Sequence, residues 1–258
     1  MRKLILIFIA LAVATPSALA NVDMAPAMVP LAQASDLEAK GEYLEAQKIY
    51  ESILQGPGLS AIRAQAVRTR YESLNWKLLL SRTETPGSAF HTVAPGDSLY
   101  VIARKYKTTV GLIKKTNGLQ RDTIYPNMKL KVHTGSFTVT VDKSENMLYV
   151  YFQGKPVRHY RVATGKNNGT PTGEFKIVNK LVNPTWFRSG AIVAPDSPDN
   201  ILGTRWMGFD YAGYGIHGTT IPESIGTQAT AGCVRMLNSE VEELYDLLPR
   251  QTKVTVVD

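Results

Sequence analysis

Apolar residues recur at helical spacing between residues 35 and 82. Ser35–Asp36–Leu37–Glu38 has the form of a capping box and predicts the start of a helix, which Gly56–Pro57–Gly58 ends. Ser60 predicts the start of a second helix. The apolar faces of the two helices are formed by Tyr43, Ala46, Tyr50, Ile53 and Leu54, and by Val67, Tyr71, Leu74 and Leu78. The pattern therefore predicts a helical hairpin over 35–82, after a flexible lead-in over 21–34 and before a linker over 83–90.

The predicted hairpin resembles a single tetratricopeptide-type repeat through Ala39–Lys40–Gly41–Glu42–Tyr43 and Ala46. One such repeat is too short to form a stable solenoid by itself. We interpret the segment either as a hairpin that packs on a neighbouring domain or mediates self-association, or as a docking site for a protein partner.

Residues 91–133 have the pattern of a strand, two helices and a second strand. His91–Val93 predicts the first strand, and Asp97 is the expected cap of the first helix. Thr109 is the expected cap of the second helix, which Gly118 ends. The stretch Ile124–Val132 predicts the returning strand. Together these features predict a small α+β module.

The module resembles a LysM domain over its whole length, from His91 to His133. That family folds as two helices on a two-stranded sheet and binds polymers that contain N-acetylglucosamine, chiefly peptidoglycan. The resemblance implies a glycan-binding groove between the loop after the first strand and the loop before the second. By position, the groove residues are Gly96, Asp97, Ser98 and Leu99 on one side and Ile124, Tyr125 and Pro126 on the other.

From residue 136 onward the apolar positions follow the period of a β-strand. The predicted strands are Phe137–Val141, Met147–Phe152, Val157–Ala163 and Lys253–Val257. Ser239–Leu248 predicts a helix, with Asn238 as its cap. Dense glycine and proline elsewhere disfavour an alternation of strands and helices. The chain is thus predicted to be multidomain, with a mainly β domain over 136–258.

The first twenty residues differ from the rest of the chain. Met1–Arg2–Lys3 is positively charged, Leu4–Val13 is apolar, and Ala18–Leu19–Ala20 is a small-x-small cleavage site. This arrangement predicts a secretory signal peptide that is cut after Ala20. The apolar run is shorter than the roughly 20 residues that span a bilayer. We therefore expect a mature chain that is exported to a periplasm or cell wall and does not span the membrane.

Charge and cysteine content exclude several classes of partner and of structural site. The chain of 258 residues has a formal net charge of +7, and residues 91–133 carry eight basic and two acidic side chains. An exported protein without a stripe of stacking aromatics is unlike a nucleic-acid binder, so an anionic cell wall is the expected partner of this charge. One cysteine excludes an internal disulfide framework and a Cys-rich zinc site.

That cysteine, Cys233, lies 16 residues after His217 and two residues before Arg235. In an extended segment residues i and i+2 share a face, so Cys233 and Arg235 are able to point into one cleft. A thiol is a nucleophile as its thiolate, which a neighbouring imidazole or guanidinium favours. Spacing alone leaves open a catalytic pair and a buried structural cysteine.

Residues 136–258 resemble the catalytic domain of the YkuD family of L,D-transpeptidases. The matching motifs are Gly169–Thr170–Pro171–Thr172–Gly173–Glu174–Phe175, His217–Gly218–Thr219, Ser224–Ile225–Gly226 and Gly232–Cys233–Val234–Arg235–Met236. The resemblance implies a β-sandwich of mixed sheets with the nucleophile in a cleft beneath a lid. It also implies that Cys233 is the nucleophile and His217 the general base and acid.

The reaction implied by the resemblance is a two-step acyl transfer between peptidoglycan peptides. Cys233 attacks a tetrapeptide stem before its terminal D-Ala, and an amine of a second stem then accepts the acyl group. Backbone N–H groups of Gly232 and Cys233 are candidate oxyanion donors. Arg235, Gly218 and Thr219 are candidate substrate contacts, with a structural salt bridge as the alternative for Arg235. No cofactor or metal ion is predicted.

Several other functions are compatible with the same residues. Transfer to water would make the enzyme an L,D-carboxypeptidase, while D-amino-acid exchange and protein attachment would use the same acyl-enzyme. Ala231 stands where the family often has a histidine. This departure supports a second hypothesis, a catalytically inactive scaffold that binds the wall, whereas the presence of both Cys233 and His217 favours the enzyme.

Overall fold

Helices form the N-terminal part of the chain and strands form most of the remainder. The computed structural model describes residues 28–188 and 190–258, so the predicted signal peptide and residues 21–27 of the predicted lead-in lie outside the described residues. The helices are α1 (Met28–Lys40), α2 (Tyr43–Gln55), α3 (Ala61–Leu80), α4 (Leu99–Tyr106), α5 (Val110–Asn117) and α6 (Asn238–Leu247). The strands are β1 (Ser88–Thr92), β2 (Lys129–His133), β3 (Phe137–Asp142), β4 (Met147–Phe152), β5 (Lys155–Arg161), β6 (Thr164–Gly165), β7 (Gly173–Val182), β8 (Trp186–Arg188), β9 (Ala191–Val193), β10 (Arg205–Phe209), β11 (Gly215–His217), β12 (Gln228–Thr230), β13 (Val234–Arg235) and β14 (Lys253–Val257).

The N-terminal unit contains three helices, so the prediction of a hairpin over 35–82 is wrong in its first helix. The expected capping box at Ser35 lies inside α1, which already begins in the predicted lead-in. Gly41 ends α1 with a φ of +81°, a conformation that glycine adopts without a steric penalty. Ser60 caps α3 as predicted, accepting a hydrogen bond from the backbone N–H of Arg63.

The second unit places α4 and α5 beside the antiparallel pair β1 and β2. Thr109 caps α5 and Gly118 ends it in the left-handed conformation, as predicted. The cap of α4 is Ser98 and not Asp97. The predicted returning strand is shorter than expected, because β2 begins at Lys129 and Asn127, with a φ of +70°, reverses the chain before it.

The third unit is built on an eight-stranded mixed sheet, which confirms the expectation of a mainly β domain with mixed sheets. The strand order is β13-β11-β10-β7-β14-β3-β4-β5, with β14 parallel to β3 and β13 parallel to β11. The long strand β7 joins two halves, since Gly173–Lys176 pairs with β14 and Ile177–Val182 pairs with β10. Side chains of both halves and of α6 share one apolar core.

Helix α3 connects the three units. The Asn75 amide of α3 donates to the carbonyl of Pro156 at 2.8 Å. Leu79 of α3 and Leu112 of α5 belong to the same apolar core as the eight-stranded sheet. The ammonium group of the fully buried Lys131, on β2, donates to the carbonyls of Leu78 and Ser81 at the end of α3. In residues 28–188 and 190–258 no helix is both long and apolar enough to cross a membrane.

Candidate functional site

The parallel pairing of β11 and β13 forms the site. Its register sets Ile216 beside Val234 and His217 beside Arg235. Ile216 and Val234 are fully buried in the core of the sheet. Because side chains alternate along a strand, His217 and Arg235 lie on the opposite face. Cys233 directly precedes β13 and is close enough to Arg235 for that charge to lower the pKa of the thiol. The pairing of two short strands thus brings together segments that the sequence separates by 16 positions.

The imidazole of His217 is 2% exposed and held in one orientation. Its Nδ1 lies 2.7 Å from the carbonyl oxygen of Gly218. Since a carbonyl only accepts, Nδ1 carries the proton and Nε2 has the free lone pair. Burial, with a smaller contribution from the charge of Arg235, lowers the pKa of His217 to about 4. Trp206 stacks beside the ring, with a centroid distance of 6.1 Å. At neutral pH His217 is therefore a neutral base.

The thiol of Cys233 is half-buried and protonated at rest. Its Sγ donates to the carbonyl oxygen of Gly213 at 3.4 Å. Burial raises the pKa of the Cys233 thiol, while a hydrogen bond with the Gly215 backbone and the charge of Arg235 lower it by less. None of the hydrogen bonds within the described ranges joins Cys233 to His217. The resting site thus contains a neutral thiol and a neutral imidazole.

Thr230 holds the backbone around Cys233. Its hydroxyl donates to the carbonyl of Cys233 at 2.7 Å and accepts from the N–H of Gly232 at 3.0 Å. The expectation that the Gly232 N–H is a free oxyanion donor is therefore wrong for this conformation. The N–H of Cys233 has no backbone or side-chain acceptor among the residues that the structure describes, and remains available. Gly232 has a φ of +136°, and a Cβ there would lie 2.6 Å from the ring of Tyr214.

Arg235 is 5% exposed but only partly satisfied. Its Nη1 donates to the hydroxyl of Ser224 at 3.0 Å, whereas its buried Nε has no hydrogen-bond partner. Across the described part of the chain, no carboxylate forms an ion pair with this guanidinium, so a structural salt bridge is not found. Buried N–H groups without partners are costly, and an incoming oxygen atom would satisfy them.

Hydrogen bonds from Asn238 hold the backbone at Gly218 and Thr219 in place. The Asn238 Oδ1 accepts from the N–H of Thr219 at 2.9 Å and of Thr204 at 3.2 Å, and its Nδ2 donates to the carbonyl of Thr219 at 2.8 Å. A Cβ on Gly218 would overlap Oδ1 of Asn238. Thr219 is 3% exposed. Both residues therefore shape the loop after His217 and present little surface of their own.

The role of Asn238 differs from the predicted one. The N-cap of α6 is Leu237, without a side-chain cap, and Asn238 is the first helical residue. Asparagine before a helix is typical of a cap, so the sequence pattern favoured that interpretation. The approach of the loop at Gly218 to this helix end is a tertiary contact that no local pattern indicates.

The segment that carries the Gly169–Phe175 motif packs against the loop that carries Cys233. The carbonyl oxygen of Gly169 lies 3.2 Å from the position that a Cβ on Gly232 would occupy. Lys143, 3% exposed, donates to the carbonyl of Thr170 at 2.9 Å and pairs with Asp258 at 2.9 Å. The sequence analysis did not identify Lys143, because a lysine in a polar turn gives no sign of burial.

The predicted glycan groove is only partly exposed. Tyr125 is 66% exposed, whereas the side chain of Leu99 is 3% exposed and belongs to the core of its module. Asp97 accepts from the N–H of Ala94 and bonds the ring of His91 at 2.9 Å, which folds the loop. The remaining groove positions are Gly96, with a φ of +88°, Ser98, which caps α4, half-buried Ile124 and exposed Pro126.

Metal ligands do not gather in the described residues. Within 28–188 and 190–258, no three His, Cys, Asp or Glu side chains lie close enough together to hold an ion.

Comparisons with known proteins match two parts of the chain. Residues 136–256 match the YkuD family model, an L,D-transpeptidase catalytic domain, and residues 91–133 match that of the LysM domain. A Bacillus subtilis protein provisionally named L,D-transpeptidase YqjB is 43% identical over 126 residues, which are 46% of this chain and 70% of that protein. A Bacillus licheniformis protein provisionally named L,D-transpeptidase YkuD is 30% identical over 174 residues, which are 64% of this chain and 97% of that protein.

Solved structures of L,D-transpeptidases are more distant. The L,D-transpeptidase from Mycobacterium smegmatis has a TM-score of 0.40 at 17% sequence identity, and the match covers 51% of this chain and 64% of that one. An Enterococcus faecium L,D-transpeptidase with a C442S substitution has a TM-score of 0.41 at 20% identity, over 55% of this chain and 60% of that one.

Proposed function

The chain belongs to the YkuD family of L,D-transpeptidases, and on that premise we propose that it crosslinks peptidoglycan peptide stems through Cys233. The observation that carries the proposal is the β11–β13 pairing, which sets the neutral imidazole of His217 beside Arg235, with the Cys233 thiol directly before β13. A nucleophile, a base and an anion-binding group are the three parts that acyl transfer at a peptide bond requires.

In the first step His217 acts as the base. Its Nε2 takes the thiol proton while Sγ of Cys233 attacks the carbonyl carbon of the third stem residue. The carbon–nitrogen bond to the terminal D-Ala then breaks, and protonated His217 returns the proton to the departing amine. D-Ala leaves as the free amino acid, and the stem remains on Cys233 as a thioester.

The developing oxyanion and the substrate carboxylate need separate donors. The N–H of Cys233 is the free backbone donor next to the thiol. Arg235, whose side chain donates to the hydroxyl of Ser224, contributes its guanidinium to the terminal carboxylate of the stem, because a guanidinium forms its strongest hydrogen bonds with carboxylates. Gly218 and Thr219 contribute by shaping the loop after His217.

In the second step an amine of a diamino acid on another stem attacks the thioester. Neutral His217 takes a proton from the attacking amine and delivers it to the departing sulfur, so the thiol and imidazole return to their resting states. The product is an amide between the third residues of two stems. Transfer to water by the same route would release a shortened stem, the L,D-carboxypeptidase reaction.

The remaining parts of the chain serve localisation in this proposal. The LysM module holds the glycan strand, with Tyr125 as the exposed aromatic contact. The signal peptide exports the chain, and cell-wall association outside the cytoplasm follows from the two matched domains. The helical unit formed by α1 to α3 packs on β5 through α3, and its remaining surface is the expected one for self-association or a protein partner.

Mass spectrometry of products tests the proposed reaction. The mature protein is mixed with purified disaccharide-tetrapeptide, beside a Cys233→Ala variant. We expect a dimer that has lost one D-Ala and that the variant does not form. A monomer trimmed of D-Ala would replace crosslinking by hydrolysis, and the absence of any Cys233-dependent product from folded protein would leave the inactive scaffold as the better hypothesis.

A further inference from the structure

A cleft of about 1270 Å³ separates the LysM module from the sheet domain. One wall is formed by α4, α5 and the loops that follow them, and the other by the end of α6, Lys180 and the 249–251 turn. The walls are fixed to each other, since the hydroxyl of Thr109 donates to the carbonyl of Asp246 and Lys115 pairs with the Asp246 carboxylate at 3.4 Å. These two contacts therefore join the walls of the cleft directly.

The charges that line the cleft are mostly positive. Six cations and two carboxylates contribute to the lining: Arg104, Lys107, Lys114, Lys115, Lys180 and Arg250, with Asp122 and Asp246. Lys114 pairs with Asp122 at 2.6 Å, so the charge of Lys114 is neutralised within the lining. A cleft with this imbalance concentrates anions, because low-dielectric walls focus the field.

The unpaired cations point to a ligand. Lys180 is occupied, donating to the carbonyls of Tyr245 and Leu248 at the end of α6. By contrast, Arg104, Lys107 and Arg250 form no ion pair with any carboxylate of the described residues. All three side chains are exposed at the cleft. Three cations on two facing walls suit a ligand with more than one negative charge.

The cleft is separate from the two sites already described. It shares no residue with the predicted glycan groove at 96–99 and 124–126, and it contains neither Cys233 nor His217. It does adjoin the LysM module along α4 and α5.

We propose that this cleft is a second peptidoglycan site, which binds the carboxylates of peptide stems that are not being crosslinked. This inference rests on the proposed function, because it takes peptidoglycan as the polymer. Each stem ends in a carboxylate and carries others along its length, so a strand presents repeated negative charges at intervals. Arg104 and Arg250 bind these carboxylates from opposite walls, and Lys107 adds a third contact.

Charge reversal tests the site. The double variant Arg104→Glu/Arg250→Glu changes two exposed side chains of the cleft, and Arg63→Glu/Arg68→Glu makes the same change in charge on exposed positions of α3. Both are made in a Cys233→Ala background to prevent turnover. Affinity for soluble glycan oligomers with intact stems is measured by calorimetry. We expect the cleft variant to bind at least about tenfold more weakly and the α3 variant to bind like the parent.

The choice of ligand separates the possible sources of the effect. Oligomers whose stem carboxylates are amidated, or whose stems have been removed, should bind parent and cleft variant equally. Equal affinity of all variants for intact oligomers would overturn the proposal. So would a loss that persists with stripped glycan, or tighter cleft-dependent binding of inorganic polyphosphate than of stems.

The outcome is independent of the reaction assay. With a wild-type Cys233, the cleft variant should still form dimer from the small disaccharide-tetrapeptide, because the cleft lies away from the thiol. Absence of that product from the parent as well would reject the proposed reaction. The binding comparison would still test whether the cleft binds stem carboxylates.

Discussion

The Nδ1 of His217 lies 2.7 Å from the carbonyl oxygen of Gly218, its neighbour in the chain. This contact determines which nitrogen carries the proton, and so leaves Nε2 as the basic atom. Because burial also lowers the pKa of His217 to about 4, the imidazole is neutral over the whole physiological range. Base strength in the site thus depends on a backbone carbonyl that Asn238 helps to position.

Cys233 should react slowly with alkylating agents at neutral pH. Burial raises the pKa of its thiol, and neutral His217 does not form a thiolate–imidazolium pair with it at rest. The rate of iodoacetamide labelling should therefore rise about tenfold per pH unit from pH 6 to pH 9, as the thiolate fraction does. Mass spectrometry of quenched samples measures the rate, with Cys233→Ala as the unlabelled control. A plateau in the rate below pH 7 would indicate a preformed ion pair instead.

Arg235 should contribute to substrate binding through its geometry as well as its charge. In Arg235→Ala the free donors are lost, and we expect KM for a tetrapeptide stem to rise roughly 10- to 100-fold, as removal of a charged hydrogen bond predicts. The pKa of Cys233 should also rise, because the charge of Arg235 lowers it.

The variant Arg235→Lys separates the two effects. It keeps the charge but not the Nε donor, so the labelling profile of Cys233 should stay close to wild type while KM remains raised. A stem with an amidated C-terminus is the matched substrate. If KM for this substrate rises as much as for the free acid, Arg235 does not bind the terminal carboxylate.

Asn238 should act as a positioning residue for His217. In Asn238→Asp the donor to the Thr219 carbonyl is lost, which costs about 1–3 kcal/mol of stability. We expect kcat for a small soluble stem to fall and the His217 tautomer, measured by nitrogen NMR, to become mixed.

The matched control for Asn238 is Asn117, an equally bonded amide in the LysM module. Its Nδ2 donates to the carbonyls of Ile113 and Lys131, each at 2.8 Å. Asn117→Asp should lose similar stability without changing kcat or the tautomer. An equal fall of kcat in both variants would mean that Asn238 contributes stability alone.

Buried His133 should make the fold sensitive to acid. Burial, with the nearby charge of Lys131, lowers the pKa of His133 to about 3, below its ordinary 6.5. The unfolded chain therefore binds a proton that the folded chain does not, and stability falls as pH drops from 6.5 toward 3. Wild type should lose about 3 kcal/mol more than His133→Gln between pH 6.5 and pH 4. Urea unfolding at a series of pH values measures this, and parallel curves for the two proteins would contradict it.

Local patterns in the sequence predicted much of the secondary structure. The strand Met147–Phe152 was predicted with its observed bounds, and Thr109 and Gly118 were correctly identified at the ends of α5. These features depend on short-range periodicity and capping chemistry. The break at Gly41 was missed because the apolar face continues on both sides of it, so periodicity alone favoured one longer helix.

Only those site residues that belong to sequence motifs were predictable. Cys233, His217 and Arg235 were selected from their spacing and family resemblance, but the proximity of His217 to Arg235 results from a parallel pairing between two very short strands. The occupied N–H of Gly232 depends on the rotamer of Thr230, and the cleft at Arg250 depends on how two units pack. No pattern in the local sequence indicates either of these two contacts.

The burial of Lys131 against the end of α3 has a consequence for dissecting this protein. A catalytic fragment cut out at residue 136 would lose Leu79 and Leu112 from its core, and an excised LysM fragment would expose the Lys131 ammonium group and the apolar surface that α3 covers. Module boundaries drawn along the sequence therefore cut through contacts that the units share. Chimeras that exchange the LysM module should carry α3 with it. Otherwise apolar and buried polar groups that now pack on α3 would be exposed to water.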